Sequence, residues 1–305
     1  HLAQYLYKQG FYVRVADMKF DGYVKEPYYD EKLVCDLRLY SNCLKATCKM
    51  DYVFNLAANM GGIGYISDVG AEIMRDNTLI NCNMLEASAV NYVDRFFFSS
   101  SACVYPKSLQ VNPDANKLKE SDVLPADPDS FYGWEKLFAE KMCEAYKKDR
   151  YLNVRVARYH NIYGPYGTFR GGKEKSISAL CRKVAEAKNG DDIDVWGDGT
   201  QTRSYNYISD CVEASVLLMD SDYGKPMNVG SEYSVSINSL VNFIIGVSGK
   251  KLTVKHCLSA PQGVKGRNAD ASLAYDILGW KPKVSFTEGV KQTYDWINSV
   301  VNKNS

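Results

Sequence analysis

Tyr132 and Lys136 stand four residues apart in the run Phe131-Tyr132-Gly133-Trp134-Glu135-Lys136, so on a helix both side chains leave one face a turn apart. That geometry could make a base. A tyrosine phenol titrates near pH 10, about 3 units too high for work at neutral pH. An ammonium held roughly 4 Å away at an effective dielectric near 20 would supply about the 4 kcal/mol that this gap represents. The same spacing also fits an amphipathic helix that carries a tyrosine and an exposed lysine, so the neighbouring elements have to decide.

Those elements alternate. His1 to Gly10 reads as an amphipathic helix closed by glycine, and Phe11 to Ala16 as a buried strand finishing at Asp17. Asp51 to Ala58 reads as a strand, Ile73 to Val90 as a helix and Arg95 to Ser101 as a strand. Tyr132 to Lys147 is the helix of the pair, and Leu152 to Tyr159 the strand after it. The pattern predicts an α/β fold with a Rossmann-like, doubly wound parallel sheet. In a dinucleotide-binding unit an acidic residue ends the second strand about 20 positions beyond a glycine-rich turn, and Asp17 fits that place. The first strand and its phosphate-binding turn are therefore expected just ahead of His1, and the chain by itself is expected to bind NAD poorly. Residues 1–165 form the expected cofactor domain. Residues 166–305 form a smaller mixed α/β substrate lobe, with a segment such as 204–220 returning to the first domain.

Ligands of such sheets bind beyond the carboxyl ends of the strands. Three of those ends should meet: Ala57 to Gly62, Ser99 to Pro106, and Arg158 to Pro165. The small Ala57 and Ala58, after Leu56, let a cofactor approach the backbone, and Asp17 would accept from the ribose hydroxyls of NAD. Ser101 beside the Tyr132/Lys136 pair can hold a sugar hydroxyl while the phenolate takes its proton and a nicotinamide takes the hydride.

Composition narrows the partners. The 305 residues are 46% hydrophobic with a formal net charge of +1, enough apolar content for a large core and no global charge to attract nucleic acid or an anionic membrane. No apolar run approaches the roughly 20 residues that span a bilayer, and no signal peptide opens the chain. Nine cysteines without a Cys-x-x-Cys pair point to reduced thiols in the cytoplasm. His1, His160 and His256 lie too far apart in sequence to suggest a metal site.

The blocks together resemble the extended short-chain dehydrogenase/reductase superfamily of NAD-dependent epimerases and dehydratases, over nearly the whole chain. Within it they are similar to the enzymes that epimerise GDP-mannose at C3 and C5. The likeness rests on Asn59-Met60-Gly61-Gly62-Ile63-Gly64, Ser101-Ala102-Cys103, His160 to Gly167 leading into Gly171-Gly172-Lys173-Glu174-Lys175, and Trp196 to Gly199 followed by Gln201-Thr202-Arg203. Cys103 discriminates within the superfamily, because 4-epimerases tend to carry threonine there and 4,6-dehydratases an Asp-Glu pair at positions 102 and 103. The resemblance implies Tyr132, Lys136 and Ser101 in oxidation at C4, with Cys103 and Lys175 as base and acid on opposite sides of the sugar ring. It implies Asp36 near adenine, and Gly61, Ala102, Asn161, Glu174, Ser176, Lys183, Gln201, Thr202, Arg203 and Arg267 against the substrate, the two arginines suiting a diphosphate. Ser176 and Ile177 depart from the family's alanine and proline, and Trp134 replaces a smaller residue and is expected to pack. A homodimer through helices near 73–90 and 132–147 is also implied. The competing readings are a 4-epimerase or 4,6-dehydratase with the same keto intermediate, and a dinucleotide-sensing module without turnover.

Overall fold

The computed structural model describes residues 1–20, 22–24 and 26–303. Helix α1 (Leu2–Lys8) leads into β1 (Arg14–Asp17), which pairs in parallel with β2 (Glu31–Val34). Next come α2 (Tyr40–Thr47), β3 (Tyr52–Asn55), the short α3 (Ile63–Asp68), α4 (Gly70–Val90), β4 (Arg95–Ser101), α5 (Phe131–Asp149) and β5 (Asn153–Tyr159). Then follow β6 (Ile162–Tyr163), α6 (Ser176–Glu186), β7 (Asp192–Trp196), β8 (Thr202–Ser204), β9 (Asn206–Tyr207), α7 (Ile208–Asp220) and β10 (Pro226–Val229). The chain closes through β11 (Ser234–Ser236), α8 (Ile237–Ser248), β12 (Thr253–Cys257), β13 (Gly266–Arg267), α9 (Ser272–Leu278) and α10 (Phe286–Lys303).

The central sheet is parallel, in the order β10-β5-β4-β3. Strand β4 explains why it is buried on both sides. Successive side chains of a strand point to opposite faces, so Phe96 and Phe98 enter the core under α2, α4 and α5 while Phe97 enters the one under α7 and α9. Strands β1 and β2 form a separate two-stranded parallel sheet, and neither β1 nor β3 has a second strand partner among the described residues. The strand and turn expected ahead of His1 would precede this fold and are not tested by it.

Helix α5 starts where Ser130 accepts a hydrogen bond from the Gly133 N–H at 3.2 Å, a cap that satisfies one of the first-turn donors. Its last turn carries Lys147 and Lys148, favourable at the negative end of the helix dipole. Trp134 does not pack inward as expected: together with Phe131 and Phe138 it lies exposed along the outer face of α5. A third core joins α6, α8 and α10 to β7, with β12 packed against it. Between that lobe and the parallel sheet run β8, β11 and β13, and in the parallel β8/β13 pair Arg203 stands directly opposite Arg267.

Candidate active site

A cavity of about 370 Å³ opens where the carboxyl ends of β4 and β5 meet the loops of the smaller lobe. Ser101, Cys103, Tyr132, Lys175, Arg203 and Arg267 all line it. Residues from five separate stretches of the chain thus converge on one volume.

Tyr132 and Lys136 are both buried, on the inward face of α5. The Lys136 ammonium donates to the Ser99 carbonyl at 3.0 Å and lies 5.7 Å from the centre of the Tyr132 ring. Ser101 acts on the Tyr132 hydroxyl to lower its pKa, and accepts a hydrogen bond from the Cys103 N–H at 3.2 Å. The simple electrostatic expectation for the pair does not hold. Burial, reinforced by Cys103 and Glu135, raises the phenol's pKa, while burial lowers that of Lys136 against the pull of Glu135. Loss of hydration is the largest influence on the phenol, and it raises the pKa.

Gly133 fixes the distance between α5 and the thiol. A Cβ at this position would land on the carbonyl oxygen of Cys103, so only glycine lets α5 settle on the 102–104 turn. The sulfur of Cys103 then receives a hydrogen bond from Arg267 Nη1 at 3.1 Å. Arg267 Nη2 donates to Asp129 at 2.9 Å, and its Nε to Gln110. Burial works against the Arg267 cation, but Cys103 and Asp129 beside it outweigh that and raise its pKa. Asp129 carried no spacing signal in the sequence; its role appears only when Arg267, 138 residues later, folds against it.

Arg203 is different. Its Nη1 donates to the Thr202 carbonyl at 2.7 Å, and no carboxylate among the described residues forms an ion pair with it. Burial, helped by the facing Arg267, lowers its pKa to about 10. Two guanidiniums side by side at one cavity wall, one of them without a counter-ion, make a strong anion site.

Lys175 caps α6 and reaches into the same cavity. Its surface is accessible, but to an enclosed space rather than open water, and desolvation lowers its ammonium pKa. Glu174 beside it accepts from the Gly172 N–H at 2.7 Å and from Arg182 at 3.4 Å. Gly61, Ala102, Asn161, Ser176, Lys183 and Gln201 also line the cavity. Ser176 shares a 2.9 Å hydrogen bond with the Tyr205 hydroxyl, Lys183 donates to the Asp194 carbonyl at 2.6 Å, and Gln201 leaves Oε1 buried without a partner. Thr202 is the exception. Its hydroxyl donates to the Pro113 carbonyl, because alternation along β8 turns it away from the cavity that Arg203 enters.

The expected cofactor residues lie along strand ends outside this cavity. Asp17 ends β1 with an exposed carboxylate that accepts from the Lys19 N–H at 3.1 Å. Asp36, two residues beyond β2, is held by Arg38 at 2.7 Å, which lowers its pKa. Leu56, Ala57 and Ala58 follow β3. A second cavity of about 320 Å³ contains Ile162 to Thr168 and shares Met60, Asn161, Lys175 and Ser176 with the first. The Arg158 to Pro165 segment was expected at this edge, but a second cavity beside it was not. The exposed Asp17 carboxylate, the small residues after β3 and the buried Tyr132/Lys136 pair together fit a dinucleotide stretched along the sheet edge.

A parallel doubly wound sheet with a Ser/Tyr/Lys set at its carboxyl edge defines a short-chain oxidoreductase-type site. Residues 1–230 match the model of the NAD dependent epimerase/dehydratase family, and the chain belongs to that family. It is 44% identical to GDP-mannose 3,5-epimerase of Arabidopsis thaliana over 304 residues, 99% of this chain and 80% of that protein. It is 29% identical to GDP-L-fucose synthase of Escherichia coli over 82% of this chain and 81% of that one. Among solved structures it resembles the UDP-glucuronic acid 4-epimerase of Bacillus cereus in complex with UDP-glucuronic acid and NAD. That match has a TM-score of 0.83 and 26% identity, covering 98% of this chain and 95% of the other.

Proposed function

We propose that this chain is an NAD-dependent isomerase that epimerises GDP-mannose at C3 and C5, giving GDP-L-galactose, GDP-L-gulose or both. The observation that carries the reading is Cys103: its sulfur faces the cavity shared by Tyr132 and Lys175 and is gripped by Arg267 at 3.1 Å. A 4-epimerase has no need of a second acid/base pair.

Asp17, Asp36, Leu56, Ala57, Ala58, Tyr132 and Lys136 would hold NAD, which when bound accepts a hydride from C4 and later returns it. Tyr132, beside Ser101, takes the proton of the C4 hydroxyl, and Lys136 fixes the geometry through the Ser99 carbonyl. Oxidation turns C4 into a ketone, which acidifies the hydrogens on C3 and C5 because either carbanion is stabilised as an enolate. Cys103 removes a proton from one face of the ring, and Lys175 delivers one to the other, so each centre inverts. The desolvation that lowers the Lys175 pKa also eases that proton's release. Arg203 and Arg267 take the diphosphate, with Gly61, Asn161, Glu174, Ser176, Lys183 and Gln201 around the rest of the substrate. Thr202 would act only through its backbone in β8.

A homodimer is part of this reading. The exposed Phe131, Trp134 and Phe138 form an i, i+3, i+7 stripe on α5, next to exposed Leu79 on α4, an apolar face suited to a second copy. A cytoplasmic location is supported by nine cysteines that are all free. Among the described residues no helix is long and apolar enough to cross a membrane. The decisive experiment is incubation with GDP-mannose and NAD in D2O. Deuterium at C3 and C5, read by NMR, supports the proposal; loss of water or inversion at C4 alone replaces it with a dehydratase or 4-epimerase, and absence of exchange with a sensor.

A further inference from the structure

The segment that carries Lys175 is built to swing. Gly171 and Gly172 both adopt left-handed backbone, at φ of 90° and 84°, with open space around them. What holds the end of this segment in place is Lys173. Its ammonium donates to Asn59 Oδ1 at 3.2 Å and sits 4.2 Å above the centre of the Tyr65 ring. Its carbonyl accepts from the Gly62 N–H at 3.0 Å, and a Cβ on Gly62 would strike the Glu174 carbonyl, so the two segments touch backbone to backbone.

Asn59 is itself immobilised. Its Oδ1 also accepts from the Tyr65 hydroxyl at 2.7 Å, its N–H donates to Asn77 Oδ1 at 2.6 Å, and its carbonyl accepts from Asn77 Nδ2 at 3.1 Å. Asn77 in turn donates to the buried Glu135 at 3.2 Å, on α5 beside Lys136. A continuous set of hydrogen bonds therefore runs from the redox helix, through Asn77 and Asn59, to the residue two positions before the acid.

We propose that Lys173, latched onto Asn59 and Tyr65, is a positioning residue that fixes Lys175 relative to Tyr132. It does not touch the reacting atoms. The catalytic part of this inference rests on the epimerase reading above, whereas the mechanical part does not. Removing the ammonium loosens the glycine hinge and leaves the Gly62 backbone bond to hold it, and a displacement of about 1 Å at an acid group is worth one to two orders of magnitude in rate.

The test compares Lys173→Met with Lys173→Arg in the full chain. Amide hydrogen exchange of residues 169–175 should rise about tenfold in Lys173→Met and return toward the parent value in Lys173→Arg, which keeps a cation over Tyr65. With GDP-mannose and NAD, Lys173→Met should still reduce the cofactor, seen as nicotinamide absorbance, while deuterium uptake at the carbon served by Lys175 falls about tenfold at little change in KM. Unchanged amide exchange in Lys173→Met overturns the latch whatever the substrate. Equal loss of cofactor reduction and of deuterium uptake overturns the positioning role. Failure of the parent chain to reduce NAD or exchange deuterium with GDP-mannose sinks the epimerase reading alone, since the amide measurement still judges the latch.

Discussion

The two halves of the site are made in opposite ways. The half proposed for hydride transfer lies on regular elements: Tyr132 and Lys136 on one helix and Ser101 at the end of the strand beside it, with Lys136 tied to the Ser99 carbonyl of that strand. The proton-transfer and anchoring half draws on turns and edge strands: Cys103 meets Arg267 across 164 positions of sequence, and Lys175 hangs from a glycine hinge. Hydride transfer at one carbon calls for a single fixed geometry, whereas handling two carbons and a diphosphate calls for groups brought in from several sides.

Removing the fixed half should have the largest effect. Tyr132→Phe is expected to lower both cofactor reduction and deuterium uptake from GDP-mannose by about 10³-fold, within the range for loss of a general base. Cys103→Ser or Lys175→Met sharpens the contrast by leaving reduction in place while uptake at C3 or C5 drops about 10²-fold; parallel loss of both readouts would mean that the halves are not separable. Arg203→Met probes the anchor. KM for GDP-mannose should rise about 30-fold, roughly 2 kcal/mol, with kcat nearly unchanged, because the diphosphate interaction is the same in ground and transition states.

The smaller effects concern stability. His160, fully buried with Nε2 3.0 Å from Asn228 Oδ1, has its pKa pulled down to about 4 by burial. Its folded-state pKa lies below the unfolded value of about 6.5, so the unfolded chain binds the extra proton between these limits, and stability is lost as pH falls through them. On that basis urea unfolding should show about 2 kcal/mol lost from this residue between pH 7 and pH 5, absent in His160→Gln. The smallest change is in the scaffold of the smaller lobe. Lys250 donates to the carbonyls of Val184, Ala185 and Ala187 at 2.8 Å each, closing the end of α6, and Lys250→Met should cost about 1–2 kcal/mol by the same measurement.

This division also accounts for what could be read directly. The Tyr132/Lys136 spacing, the strand ending at Ser101 and the acidic end of β1 are local patterns with a period of 3.6 or 2, and the helix and strand ends fall within a few residues of expectation. Cys103, Lys175 and the arginines came only through resemblance, because no spacing rule connects them. Asp129 and the Lys173 latch were silent, since each exists only through contacts between distant segments. The pKa of Tyr132 was misjudged for a related reason: a helix pattern reveals a neighbouring charge, but not how completely a folded core will strip water from the phenol.

One absent methyl group has the widest reach. Because Gly133 seats the catalytic helix against the Cys103 carbonyl, phenol and thiol behave as two teeth of one rigid comb. Neither can travel toward a second carbon without dragging the other out of line. On the proposed mechanism the sugar does the travelling relative to that pair, re-puckering or turning about its tethered phosphates to present first one neighbour of the ketone and then the other, and only the hinged Lys175 can follow it.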